Sequence, residues 1–127
     1  MTYESEAKHA IKPYKQAIRL VASQAWYGKP LLDCPVHIDT TFVTALGNSR
    51  LRKRKPMPRS WKDTKPDLDN LDKAVRDSLE GIVLKNDSRI CDSASRKVWG
   101  AAIYWGKDLW WVEESHILIV LSTPGEL

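Results

Sequence analysis

The sequence predicts an α/β protein in which a mixed sheet of about three to four strands packs with two helices. Segments with the 3.6-residue period of an amphipathic helix alternate along the chain with segments of two-residue strand period. The chain has 127 residues, of which 43% are hydrophobic, and this is enough for one core. A chain of this size buries roughly two-thirds of its unfolded surface, so we expect a single domain over residues 1–127.

The first predicted helix runs from about residue 12 to 27. In PYKQAIRLVASQAW the apolar residues fall on one face, and Pro13 suits a first helical position. The segment GKPLLDCP ends this helix, and VHIDTTFVTAL then alternates, with Val36 and Ile38 on one side. A strand from residue 36 onward is therefore predicted.

The second predicted helix covers Asn70 to Leu84, where apolar residues return at helical spacing. Asp69 is its expected N-cap, and Gly81 is expected to fray or end it. Before it, residues 47–66 contain three prolines and almost no apolar period, which is typical of an exposed loop.

The last third of the chain predicts two further strands, 93–105 and 115–123, that pair as a hairpin or as near neighbours. Their connection, GKDLWWVEE, contains Trp110 and Trp111. These two side chains cannot both face a core if the segment is extended. Stacking on an unpaired base and a contact between two copies of the chain are both open roles for them.

The formal net charge of +4 conceals a local asymmetry. Residues 48–65 carry eight Lys or Arg against Asp63 alone, whereas residues 66–127 carry seven against eleven acids. Such a patch indicates a polyanion, nucleic acid first and an anionic membrane second, although a solvated loop or a signal read by another protein also fits. We expect the exposed basic loop 48–65 to bind DNA phosphates through Arg50, Arg52, Lys53, Arg54, Lys55, Arg59 and Lys62.

Cysteine content and hydropathy favour a cytoplasmic protein. Cys34 and Cys91 lie far apart and lack the spacing of a zinc site or a disulfide framework. The longest aliphatic run, ILIVL, is too short to span a bilayer, so no membrane partner is expected.

Two carboxylates, Asp67 and Asp69, come directly before and at the start of the second helix. Side chains at i and i+2 of an extended approach project to one side, and paired carboxylates favour a hard divalent cation such as Mg²⁺ between them. Asp87 is a third ligand if the chain reverses after the helix. The alternative for Asp69 is helix capping; a calcium loop fails because Leu71 and Ser78 occupy ligand positions.

The segment KPDLDNLDKAVRDSLEGIVLKNDSRI, residues 65–90, resembles the signature of the RusA family of Holliday junction resolvases. In that family a D-x-D-N-L-x-K motif opens a helix and a later Asp follows in a turn before a strand. The resemblance implies a RusA-like fold, metal binding by Asp67, Asp69 and Asp87, and a catalytic role for Lys73 beside them. It also implies Mg²⁺, with Mn²⁺ as a substitute, no small-molecule cofactor, and a homodimer acting on branched DNA in a bacterial or phage-infected cell.

The expected function is therefore a Mg²⁺-dependent endodeoxyribonuclease that resolves four-way DNA junctions by paired nicks in recombination and repair. Two alternatives remain open. One is a broader phage-type nuclease for branched or flapped DNA. The other is a non-catalytic DNA-binding module in which the acids are caps and surface charges, and in which Lys73 forms an ordinary salt bridge with Asp69 or Asp77.

Overall fold

The computed structural model describes residues 3–125, with side chains from residue 14 onward. Its helices are α1 (Tyr3–Ala25), α2 (Asn48–Leu51) and α3 (Leu68–Leu79), and a 3₁₀ turn covers Asp87–Arg89. Its strands are β1 (Val36–Thr44), β2 (Ser60–Trp61), β3 (Ile90–Trp99), β4 (Ala102–Trp105), β5 (Asp108–Val112) and β6 (His116–Ser122).

The strands form a four-stranded sheet in the order β2-β3-β1-β6 and a separate two-stranded sheet of β4 and β5. This confirms the predicted α/β class with a mixed sheet and a RusA-like fold. The chain divides into two compact units. We call residues up to 38, 65–93 and from 121 on the helical unit, and residues 39–64 and 94–120 the hairpin unit.

The helical unit is built on the packing of α1 against α3. Ile18 and Ala22, one turn apart on α1, are buried, and α3 buries a stripe that includes Leu71, Val75 and Leu79. Each fully buried aliphatic side chain contributes roughly 1.5–3 kcal/mol. This apolar stripe fixes the orientation of α3 and leaves its opposite face to solvent.

The bounds of both long helices differ from those predicted. α1 begins at Tyr3, so Pro13 lies inside the helix rather than at its start. The segment before Pro13 is rich in Ala, Glu and Lys, which favour a helix by propensity without giving an apolar period. α3 ends at Leu79 rather than 84, because Glu80 is already extended and Gly81, at φ +80°, turns the chain.

The hairpin unit corrects the prediction of one strand over 93–105. β3 ends at Trp99 and β4 begins at Ala102, with Gly100 between them. A Cβ on Gly100 would lie 3.1 Å from both the Cβ and the carbonyl oxygen of Glu113, so the chain passes there without a side chain. The predicted connection 106–114 contains β5, which pairs with β4. Trp110 and Trp111 therefore lie on a strand, not in a loop.

The cysteines and the helices are relevant to a disulfide and to a membrane span, respectively. Cys34 and Cys91 are both unbridged. Over the described residues, no helix combines the length and apolar character needed to cross a membrane.

Candidate functional site

The start of α3 carries the first two carboxylates. Asp67 is the N-cap, with extended φ −66° and ψ 142°, and its carbonyl oxygen accepts a hydrogen bond from the Leu71 amide at 3.2 Å. The prediction of Asp69 as the cap was wrong, since Leu68 already has helical geometry and Asp69 lies in the first turn. The Asp67 carboxylate makes no capping hydrogen bond, so the helix does not use it.

Lys73 lies one helical turn beyond Asp69, and both side chains are exposed, as is that of Asp67. Asp77, the other acid within reach of an i, i+4 pair, is bound instead by Lys15 of α1 at 3.3 Å. In the part of the chain that the structure describes, Lys73 forms no salt bridge. The ammonium group is thus presented to solvent on the same helix as the two carboxylates.

Asp87 follows a reversal of the chain after α3. The Gly81 amide donates to the Leu84 carbonyl at 2.8 Å, which closes the turn. Asn86 then caps the 3₁₀ turn by accepting from the Ser88 amide at 3.0 Å. That turn contacts α3, and the Asp87 side chain is exposed.

The residues on either side of Asp87 are held by ion pairs with the carboxylate of Asp33. The Arg89 guanidinium donates to one carboxylate oxygen of Asp33 at 2.7 Å, and the Lys85 ammonium donates to the other at 3.3 Å. The hydrogen bond from Arg89, followed by that from Lys85, lowers the pKa of Asp33 below its usual value. The segment is therefore anchored on both sides of Asp87 while Asp87 itself stays available.

The structure does not gather the three carboxylates into one ligand cage. Among the side chains that the structure describes, from residue 14 to 125, no group of three or more His, Cys, Asp or Glu is arranged to hold a metal ion. Carboxylate oxygens are the donors that Mg²⁺ prefers, so the chemistry of Asp67, Asp69 and Asp87 fits the ion. Their assignment as joint ligands stays a prediction.

Many other acids of the chain have structural partners. Asp39 accepts two hydrogen bonds from Arg96, at 2.8 and 3.1 Å, and Asp92 pairs with His37 at 2.8 Å. Asp33, Asp77 and Glu113 are paired as well. In the described residues, the acids without a side-chain partner are Asp63, Asp67, Asp69, Glu80, Asp87, Asp108 and Glu114. The three acids of the motif thus belong to the acids that the fold does not use in ion pairs.

The predicted DNA-binding side chains divide into two groups. Arg50 on α2 and the following residues Arg52, Lys53, Arg54 and Lys55 are exposed. We call Arg52–Lys55 the basic segment. Arg54 has φ +49°, the left-handed region that a non-glycine residue enters only in a tight turn, so the segment doubles back on itself. The four side chains of the basic segment are therefore accessible to solvent.

Arg59 is held by a bidentate ion pair. Its Nε and Nη2 donate to the two carboxylate oxygens of Glu113 at 3.0 and 2.5 Å. The pair raises the pKa of Arg59 and, chiefly through the hydrogen bond from Arg59, lowers the pKa of Glu113 to about 2. Fifty-four residues separate the partners, so no local sequence signal could have predicted the pair.

The prediction of an exposed loop over 48–65 is corrected at both ends, because α2 covers Asn48–Leu51 and β2 pairs with β3. Lys62, directly after β2, is buried. Its ammonium lies 5.0 Å from the centre of the Trp99 ring, and the Arg50 guanidinium lies 4.1 Å from the same ring. Burial first, and then the charges of Lys97 and Arg50, lower the pKa of Lys62. Lys62 therefore has a packing role in addition to any contact with a phosphate.

Comparison with known proteins assigns the chain to a family. The model of the family described as endodeoxyribonuclease RusA matches residues 1–104. A protein of Bacillus subtilis (strain 168), named "Uncharacterized protein YqaN", is 33% identical over 86 residues, which cover 64% of this chain and 60% of that protein. No solved structure gives a significant match. Since the family match spans most of the chain and includes the whole Asp67 to Asp87 segment, this protein belongs to the endodeoxyribonuclease RusA family.

Proposed function

We propose that this chain is a Mg²⁺-dependent, structure-selective endodeoxyribonuclease that resolves four-way DNA junctions by paired nicks. The observation that carries the proposal is the family match over residues 1–104, which contains Asp67, Asp69, Lys73 and Asp87. All four side chains are exposed, and none has a side-chain partner within the described residues. Asp33, by contrast, is held by Arg89 and Lys85.

The proposed metal ligands are Asp67, Asp69 and Asp87. When bound there, Mg²⁺ would supply Lewis-acid stabilisation of the charge that develops on the attacked phosphate. The carboxylates contribute by binding and orientation. Asp67 and Asp69 are carried by a helix start whose apolar face is locked against α1, so their backbone positions are set before substrate arrives.

Lys73 is proposed to hold the scissile phosphate or to stabilise the departing 3′ oxygen. Its exposed ammonium, one turn from Asp69, provides a donor with no competing salt bridge in the described part of the chain. A positive group that strengthens its contact as charge develops on oxygen lowers the barrier rather than only the binding energy.

The basic segment, with Arg50, is proposed to supply the attraction that an acidic catalytic site lacks. Contacts from Arg and Lys to backbone phosphates give affinity without sequence information and weaken steeply with salt. Arg59 and Lys62 are proposed as secondary contributors, because Glu113 already occupies the Arg59 guanidinium and Lys62 is buried against Trp99. A four-way junction offers two equivalent strands, so we propose a homodimer with two-fold symmetry.

The proposal is tested by incubating the protein with a synthetic four-way junction, a flap and a linear duplex, each end-labelled. In Mg²⁺ the junction should be nicked on two opposed strands much faster than the duplex, and EDTA should stop the reaction. Mn²⁺ should restore it. Equal cutting of the flap would favour a general branched-DNA nuclease, and binding to the junction without any nicking in either ion would refute the enzymatic proposal.

A further inference from the structure

The β4–β5 hairpin presents three indole rings to solvent. Trp105 is 84% exposed, Trp110 74% and Trp111 46%. On β4, Tyr104 faces inward and Trp105 outward. A shift in the β4–β5 register follows the pairing of Ile103 with Trp111 and leaves Trp110 without a partner on β4. This bulge is how two adjacent tryptophans are both exposed on one strand. We call Trp105, Trp110 and Trp111 the tryptophan face.

Hydrogen bonds join the hairpin to both ends of the basic segment. The Tyr104 hydroxyl donates to the carbonyl oxygen of Leu51, the residue before Arg52, at 2.7 Å. On the other side, the Ala102 amide donates to the Met57 carbonyl at 2.8 Å, and the Met57 amide donates to the Ala102 carbonyl at 2.9 Å. Met57 follows the basic segment after a single proline. Both ends of Arg52–Lys55 are thus bound to β4.

Glu113, which follows β5, fixes the base of the same hairpin. Its amide donates to the Ala101 carbonyl at 2.9 Å, and its carboxylate accepts from the Ala101 amide at 3.1 Å. The same carboxylate is bound by Arg59. The tryptophan face and the basic segment therefore belong to one compact unit and are connected by several fixed contacts.

The charge of this unit decides which partner suits the tryptophan face. The hairpin unit contains ten Lys or Arg against five Asp or Glu. A second copy presenting the same surface would bring like charge, whereas a polyanion is complementary. Indole rings stack on nucleobases, but the bases of an intact duplex are already stacked and paired. The chemistry that fits exposed indoles beside Arg and Lys is a strand with unpaired nucleotides.

We propose that the tryptophan face stacks on unpaired bases of a DNA strand whose phosphates are bound by the basic segment. The inference rests on the proposed function in one respect, since a branched substrate supplies such bases at its branch point. It assigns Trp105 and Trp110 a binding role distinct from the metal-dependent step. The hairpin unit then recognises opened DNA and not only its charge.

The test compares the Trp105→Ala, Trp110→Ala double variant with the unaltered chain in EDTA, by fluorescence anisotropy of a labelled single-stranded oligonucleotide and a paired duplex of equal length. Loss of stacking should weaken single-strand binding by about fivefold or more, because each stacked base contributes substantially to affinity. Duplex binding should change by less than about twofold, since phosphate contacts are retained. The Trp105→Phe, Trp110→Phe variant, which keeps aromatic rings, should recover most of the lost affinity.

Leu118→Ala is the matched control, because Leu118 is 53% exposed on β6 in the same unit and should leave both affinities unchanged. Unaltered single-strand binding in the Ala variant, or equal loss on both DNAs, would overturn the inference. The inference would also be overturned if the Ala variant sedimented as a smaller species than the unaltered chain while its single-strand binding was intact. That result would show that the tryptophan face is an interface between two copies of the chain. If the unaltered chain bound single strands through Trp105 and Trp110 but did not nick a four-way junction in Mg²⁺ or Mn²⁺, only the nuclease proposal would be refuted.

Discussion

At the scale of single residues, the fold positions the charged side chains of Asp67, Asp69, Lys73 and Asp87 without using them in ion pairs. Asp67 occupies an N-cap without using its carboxylate, and Asp69 lies in a first turn where the helix dipole favours a negative charge. Neither carboxylate has a side-chain partner among the described residues, so both are available to a ligand.

Replacing Asp67 or Asp69 by Asn should abolish nicking of a four-way junction, because an amide is a poor ligand for Mg²⁺. DNA binding should be retained or strengthened, since one negative charge is removed beside a phosphate. Gel-based nicking and anisotropy measure the two effects. Glu80→Gln, which alters an exposed acid at the other end of α3, is the control and should cut normally. Full activity in both Asn variants would remove these residues from the site.

Lys73→Gln should lower the nicking rate by about a hundredfold, as expected for loss of one electrostatic donor to a developing charge. Junction affinity should fall only slightly, because the basic segment supplies most phosphate contacts. Single-turnover rates at saturating protein isolate the chemical step. A nicking rate equal to that of the unaltered chain would show that Lys73 has no catalytic role.

At the scale of elements, the sequence predicted what depends on periodicity and missed what depends on long-range pairing. The apolar periods of α3 and β1 located both elements. The cap at Asp67 was missed because Asp69 fits the same local rule. β5 was missed although Trp105 and Asp108 flank a two-residue Gly-Lys turn, a hairpin signal that was available. The Arg59–Glu113 and Tyr104–Leu51 contacts join residues far apart in sequence, so only the fold could reveal them.

Changing Arg52, Lys53, Arg54 and Lys55 together to Gln should weaken binding to duplex and junction alike. The slope of log K against log salt should become shallower by about one unit for each lost phosphate contact. Anisotropy titrations from low to high NaCl give this slope. The matched control is Lys107→Gln, a single exposed charge in the turn of the β4–β5 hairpin. An unchanged slope in the fourfold variant would contradict the role of the basic segment.

The Arg59–Glu113 pair should stabilise the hairpin unit in a pH-dependent way. The folded pKa of Glu113, about 2, lies below its ordinary value of 4.5, so the contribution is present above pH 4.5 and is lost as the pH falls towards 2. Glu113→Gln should reduce the free energy of unfolding by about 1–2 kcal/mol at pH 7. Urea unfolding should show this difference shrinking at pH 3, where the carboxylate of the unfolded chain is protonated. A difference independent of pH would exclude the ion pair as its source.

At the scale of the whole molecule, the charges and the motif are divided between the two compact units. The helical unit contains Asp67, Asp69, Lys73 and Asp87 and has ten Lys or Arg against eleven Asp or Glu. The hairpin unit holds the basic segment and five of the six tryptophans, with ten basic against five acidic residues. In the proposed function, one unit carries the ligands for the ion and the other binds the nucleic acid.

The most direct test of the metal site is a crystal of the protein soaked in Mn²⁺, with anomalous scattering recorded at the manganese edge. The account predicts a peak in contact with carboxylate oxygens of Asp67, Asp69 and Asp87, and loss of that peak in the Asp69→Asn variant. A peak bound elsewhere, or an Asp87 carboxylate remote from a fully occupied ion at Asp67 and Asp69, would contradict the three-carboxylate assignment.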